Sequence, residues 1–168
     1  MRIFKLLTLL ALVSAWSAPA QTAAPVAEAR NNSAIIPVPR DQDGPRNRFE
    51  ELNKRVRAAR GEVDVMFLGD SITQGWEGSG KNVWQKFYGH RKALNIGIGG
   101  DRTQHVLYRL ENGNIDGIKP KVTVLMIGTN NSNRDDNTEG EILEGVTAIV
   151  KKLRASLPET KIILVAIF

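Results

Sequence analysis

Three polar, glycine-rich breaks in the chain each carry a residue type that acyl transfer requires: Ser71 in FLGDSITQGW, Gly100 in NIGIGGDR and Asn130 in MIGTNNSN. A serine hydroxyl is a weak nucleophile until a base takes its proton, and the tetrahedral intermediate it forms needs donors around its oxyanion. Ser71 supplies the hydroxyl. Gly100 can bring its backbone N–H close to a substrate because no Cβ intervenes. Asn130 offers a side-chain amide, a kind of donor whose loss costs about 10²–10³ in rate. The N–H of Ser71 itself completes the set. Taken singly, Gly-Asp-Ser, Gly-Gly and Asn-Asn are ordinary turn compositions. Their recurrence at the ends of successive apolar runs is what points to ester hydrolysis.

Those runs set the architecture. DVMFLG, ALNIGI, KVTVLMIG and KIILVAIF are continuous apolar segments, the pattern of strands covered on both faces of a parallel sheet. Between the second and third lies TQHVLYRLENG, with Val106, Leu107 and Leu110 on one face. Between the third and fourth lies TEGEILEGVTAIVKKLRASLPE, opened by a capping box of Thr138 and Glu141 and carrying an apolar stripe from Ile142 to Leu153. Upstream, Phe49, Leu52 and Val56 recur at helical spacing and Gly61 marks a stop. Alternating strand and helix predicts an open α/β sheet with right-handed crossovers and a site beyond the carboxyl ends of its strands.

GDSITQGW around Ser71, NIGIGGDRTQHVLYRLENG around Gly100 and GTNN around Asn130 resemble the first three signature blocks of the SGNH hydrolases, also called GDSL-type esterases. The stretch NIGIGGDRTQHVLYRLENGNIDGIKPKVTVLMIGTNN is most similar to the branch of the platelet-activating-factor acetylhydrolase catalytic subunits and their exported bacterial relatives. The resemblance runs from about Arg46 to the last residue. It implies a three-layer α/β/α, flavodoxin-like parallel sheet, Ser71 as nucleophile, Gly100 and Asn130 as oxyanion donors, and no cofactor or metal. In that family the base His and its Asp lie together as Asp-x-x-His, after a fifth strand, and this sequence stops at Phe168, within the fourth apolar run. The expectation is therefore an incomplete domain over 46–168, without the fifth strand and the catalytic Asp/His segment, and a chain inactive by itself. His90, in FYGHRKA, and His105, just after Gly100, read as surface or packing histidines. Asp70 reads as an anchor for its own turn, and Asp101 and Arg102 as caps for the helix that follows. Trp76 and Trp84 read as packing for the segment after Ser71, whose Gly75, Gly78 and Gly80 would suit a lid.

Other patterns carry less. GWEGSGKN nearly fits a phosphate-binding loop, but Asn82 stands where a metal-binding hydroxyl belongs and Gly75 lies six residues beyond the run's end. GIGGDR has Arg102 in place of a third dinucleotide-binding glycine. The acids of DQDG and RDDN lack calcium-loop spacing.

The ends and the composition bound location and partners. Arg2 and Lys5 precede the apolar run Leu6 to Trp16, and Ala18-Pro19-Ala20 fits a signal-peptidase site, so 1–20 reads as a removed signal. The run is shorter than the roughly 20 residues of a spanning helix, which argues against a stable membrane anchor. Residues 21–45, rich in Ala and Pro, read as a flexible linker. There is no cysteine, so no disulfide is expected. Net charge is only +5, the charges are interspersed and aromatics are 6%, which excludes the basic, stacking surface of a nucleic-acid binder. The function that follows is an exported (periplasmic or extracellular) serine esterase taking a small acyl ester, acetyl above all, on a carbohydrate or lipid. The alternative is a relative that keeps the pocket and binds a glycan or ester without turnover.

Overall fold

The computed structural model describes residues 31–133 and 136–167. The expected signal segment and the first part of the expected linker lie outside them, as does Phe168. Four strands, β1 (Val65–Gly69), β2 (Ala93–Gly97), β3 (Val122–Met126) and β4 (Lys161–Leu164), form one parallel sheet in the order β2-β1-β3-β4. All four coincide with the apolar runs of the sequence. Gly69 is in register with both Gly97 and Met126, so the three strand ends that carry the polar breaks stand side by side. The chain leaves β1 toward β2 and returns across it to β3, so the strand order reverses at the crevice between β1 and β3, where open α/β sheets bind ligands.

Right-handed crossovers send the β1–β2 connection over one face of the sheet and the later two over the other. On the second face lie α1 (Asp43–Ala58), α4 (Thr103–Glu111) and α5 (Glu139–Ser156). α1 meets α4 through Phe49 and Tyr108, with ring centroids 6.0 Å apart, and α4 packs on α5. The core sits under these helices, where Leu52, Val56, Met66, Leu68, Ile96, Val106, Leu125, Ile149 and Leu153 are all but inaccessible. Their spacing on α1, α4 and α5 is the helical stripe read from the sequence. Thr138 caps α5, its hydroxyl accepting from the Glu141 N–H while the Glu141 carboxylate accepts from the Thr138 N–H.

The opposite face is covered by α2 (Ser71–Gln74), a 3-10 turn over Gly75–Glu77, and α3 (Lys81–Tyr88). α3 was not expected. Its Trp84 and Tyr88 set their rings 5.0 and 4.8 Å from Phe67 of β1, and Trp76 joins them at 6.3 Å from Trp84. Trp76 and Trp84 therefore pack, as expected, but the segment is a helix docked on the sheet by aromatic edge contacts and not a glycine-hinged lid.

The expected linker is also shorter than the sequence suggests. Asn32 Nδ2 donates to the Glu141 carbonyl at 3.2 Å and to Glu144 at 2.8 Å, Ala34 is fully buried and its carbonyl accepts from the Thr103 hydroxyl at 2.8 Å, and the Val38 N–H donates to Gln104 O. Residues 32–40 thus form a strap laid over α4 and α5. Its anchors are single hydrogen bonds to backbone and side chain, which leave no periodic trace in a sequence. No helix among the described residues is long and apolar enough to cross a membrane.

Candidate active site

Gly69 and Gly97 end β1 and β2 because α2 crosses directly above them. A Cβ on Gly97 would stand 2.4 Å from the Gln74 nitrogen, and one on Gly69 would stand 2.3 Å from Met126 O. Asp70 then turns the chain into α2: its carboxylate accepts the Ile72 N–H at 2.9 Å, which makes it the helix cap and the anchor of the turn that the sequence suggested. Burial pushes Asp70 up, against the pull of that N–H. Ser71 is the first residue of α2, exposed, with its N–H lacking any acceptor inside the helix. Thr73 is held from below, its carbonyl accepting from Asn95 Nδ2 at 2.8 Å.

Gly100 follows β2 at φ 76°, a left-handed backbone that glycine adopts without strain. The turn is tied to α2 by the Gly99 N–H, which donates to Gln74 Oε1 at 2.6 Å. A Cβ on Gly99 would lie 3.7 Å from the Ser71 Cβ. Asn130, after β3, completes the junction: its Nδ2 donates to the Asp101 carbonyl at 2.8 Å and to the Asp70 carboxylate at 3.3 Å. One amide thereby touches the residue before Ser71 and the residue after Gly100. The structure brings Ser71, Gly100 and Asn130 to one place at the switch point of the sheet. Beside it, Asn131 is fully buried, accepting the Thr103 N–H and donating to Thr103, Gln104 and Asn137, so the second asparagine of the pair holds the loop while the first faces the site.

Arg109 and Asp101 form the support that the sequence did not suggest. Arg109, on α4, is almost completely buried; its Nε donates to Asp101 at 2.8 Å, Nη1 to Ile96 O at 2.9 Å and Asn114 at 2.5 Å, and Nη2 to Gly69 O at 3.3 Å. One guanidinium thus grips the carbonyls at the ends of β1 and β2 and the side chain beside Gly100. Burial works against both charges, pushing Asp101 up and Arg109 down, while their 2.8 Å contact pulls each back toward its charged form. Asp101 is therefore not the cap expected for α4. Arg102 holds the N-cap position as expected, and His105, three residues on, accepts the Arg102 N–H at its Nδ1, 3.0 Å away. Burial, then the charges of Arg40, Arg102 and Arg109, hold His105 down to about 4, so it is neutral and committed to the helix end. His90 lies ahead of β2, at the opposite end of the sheet from Ser71. Among the described residues the Ser71 hydroxyl has no hydrogen-bond partner.

A second tie was equally invisible in the sequence. Arg48 of α1 donates to Gly97 O at 3.2 Å and grips Glu77 with both Nη atoms at 2.8 and 2.9 Å, and Arg55 adds a bond to Glu77 at 2.7 Å. Burial pushes Glu77 up, but the two arginines hold it below its ordinary value. α1 is thereby fixed to the turn that follows the Ser71 helix.

The parallel sheet with helices on both faces is the three-layer α/β fold of the SGNH type. Residues 67–168 match the GDSL-like lipase/acylhydrolase family, and the chain belongs to it. Over 139 residues it is 39% identical to platelet-activating factor acetylhydrolase IB subunit alpha2 of Homo sapiens, covering 82% of this chain and 58% of that protein. It is 38% identical over 136 residues to the platelet-activating factor acetylhydrolase IB subunit beta homolog of Drosophila melanogaster, covering 79% and 58%. The chain thus spans 58% of the length of these relatives. A GDSL-like lipase from Bacteroides thetaiotaomicron shares the fold at a TM-score of 0.55 and 22% identity, over 69% of this chain and 56% of that one.

Proposed function

We propose that the chain carries the nucleophile and oxyanion donors of a serine esterase that hydrolyses esters of small acyl groups, acetyl above all, with O-acetylated carbohydrate or a lipid as the alcohol side, and that it acts outside the cytoplasm after loss of its N-terminal segment. The observation that supports the reading is the Asn130 amide, which donates to Asp101, next to Gly100, and to Asp70, next to Ser71.

In this reaction Ser71 Oγ attacks the ester carbonyl, and the oxygen's developing charge is met by the N–H of Ser71, the N–H of Gly100 and Asn130 Nδ2. Both Asn130 protons are engaged without substrate, and the longer bond, 3.3 Å to Asp70, is the one a substrate oxygen replaces. Collapse of the tetrahedral intermediate releases the alcohol, which takes up the proton Ser71 gave, and water then hydrolyses the acyl-enzyme to the acid and free serine. The step needs a proton acceptor at Ser71. His105 does not serve, because the lone pair of its Nδ1 is taken by the Arg102 N–H, its Nε2 carries the proton, and burial with the nearby arginines holds its basicity down to about 4. A second reading is that the pocket binds an ester or glycan without turnover.

Hydrolysis of p-nitrophenyl acetate that disappears in Ser71→Ala supports the enzyme. Saturable binding of an acetyl ester, unchanged in Ser71→Ala and without turnover in wild type, supports the binding module. Sequencing the N-terminus of material recovered outside the cytoplasm tests export, with Gln21 as the expected first residue.

A further inference from the structure

Gly100 borders a cleft of about 290 Å³ whose polar side-chain atoms are mostly donors. Arg40 enters it from the strap, and Arg102 and His105 from the start of α4. Their existing bonds leave donors over. Arg40 commits Nη1 to Gly99 O at 2.6 Å and Nε to Gln42 at 3.3 Å, and its Nη2 has no acceptor among the described residues. Arg102 commits Nη2 to Asp136 at 2.5 Å, and its Nε and Nη1 are unengaged among the same residues. His105 accepts at Nδ1, so its proton sits on Nε2 and that N–H has no acceptor there either.

Among the described residues two arginines and one carboxylate, the exposed Asp41, line the cleft, and Asp136, outside the lining, pairs with Arg102 at 2.5 Å, so it is the surplus of unengaged donors rather than a net charge that calls for an acceptor-rich ligand. Asp101 stands 3.6 Å from Arg40 but 2.8 Å from Arg109, which has the prior hold on it. The positive field is felt at His105, which stays neutral and so keeps Nε2 as a donor. Guanidinium groups match phosphate and carboxylate oxygens in shape and charge, and a partly enclosed site strengthens the match. An anion offers only acceptors to the donors that these three side chains leave over; a neutral hydroxyl is donor as well as acceptor.

We propose that this cleft binds an anionic group, phosphate or carboxylate, carried by the ester substrate away from its scissile carbonyl. The proposal rests on the ester-hydrolase reading above and narrows its substrate class to anionic esters.

The experiment compares matched acetyl esters on the full chain at low ionic strength: para-acetoxybenzamide, para-acetoxybenzoate and para-acetoxyphenyl phosphate. The expected result is kcat/KM for an anionic ester at least about tenfold above the neutral one, since hydrogen bonds to charged groups are the strong ones. That ratio falls roughly tenfold in Arg102→Gln and recovers in Arg102→Lys. Comparing the phosphate with the carboxylate identifies which anion is preferred. Equal rates for neutral and anionic esters, or a ratio indifferent to Arg102→Gln, overturn the cleft while leaving the ester-hydrolase reading intact. If no ester is turned over, inorganic phosphate is titrated while the amide resonances of Gly100 and Arg102 are followed. Saturable shifts that vanish in Arg102→Gln support the site, and their absence in the wild-type chain overturns it.

Discussion

Two titratable groups of α4, the buried Arg109 and the half-buried His105, have opposite consequences. Arg109 pairs with Asp101 and also holds the carbonyls of Gly69 and Ile96, so deleting its charge leaves the buried carboxylate with only Arg40, 3.6 Å away. Arg109→Met should cost about 3–5 kcal/mol, read as a fall in the urea midpoint, while the double variant Arg109→Met/Asp101→Asn recovers a large part of the loss, because it removes the stranded charge. His105 works the other way. Its folded value of about 4 lies below the ordinary 6.5, so between those values the unfolded chain binds a proton that the folded chain does not. Stability contributed by the neutral imidazole is therefore complete above about pH 6.5 and is lost as pH falls toward 4. For a half-buried group the loss is about 1–2 kcal/mol after allowing for solvent screening. His105→Gln keeps an acceptor for the Arg102 N–H, as glutamine at the third helical position does in capping boxes, and should flatten this part of the stability curve measured by thermal melts from pH 4 to 7. A curve as steep as wild type would show that another group carries the dependence.

At the scale of elements, the position of α2 over the sheet decides where Ser71 points. Gly69, Gly97 and Asn95 hold it: two by having no side chain, one by a hydrogen bond to Thr73 O. Gly97→Ala would force a methyl group to within 2.4 Å of the Gln74 nitrogen, so α2 must rise or tilt. The expected outcome is a loss of about 1–3 kcal/mol in stability from overpacking and, under the proposed ester-hydrolase function, a larger proportional fall in kcat/KM, since α2 carries Ser71 and Gln74 holds the Gly99 turn. Much of this was legible in the sequence. The four apolar runs are the four strands, the apolar stripes are α1, α4 and α5, and Ser71, Gly100 and Asn130 meet where the strand ends suggested. What escaped were elements whose reasons are not periodic. α3 is short and flanked by glycines, and its apolar residues Trp84 and Tyr88 have meaning only opposite Phe67. Arg109, charged and within an amphipathic helix, looks like part of a solvated face until its acceptors are seen. Arg40 sits in a proline-rich stretch that reads as tether until the Gly99 carbonyl is found beneath it.

Across the whole molecule, the face that holds α2 and α3 is covered unevenly. Phe67, Val124 and Ile163 stand in one row of the register across β1, β3 and β4. Phe67 is buried under Trp84 and Tyr88, Val124 is half-buried, and Ile163 is 53% exposed, with Leu164 54% exposed beside it on the edge strand. Helical cover therefore fades in the direction of β4, and the described sheet ends in an apolar strand with its outer N–H and C=O groups unpaired. Such an edge is a template for pairing with another chain, and natural sheets blunt it with charge, lysine above all. In the 168-residue chain by itself, Ile163→Lys removes little packing, because the side chain faces solvent there, and it places a charge on the exposed row. It should raise the monomer fraction in sedimentation or light scattering at a given concentration while moving the urea midpoint by less than about 0.5 kcal/mol equivalent, as a surface substitution does. A drop of several kcal/mol instead would mean that Ile163 is covered in solution, and that the apolar edge is an interior surface of a larger assembly.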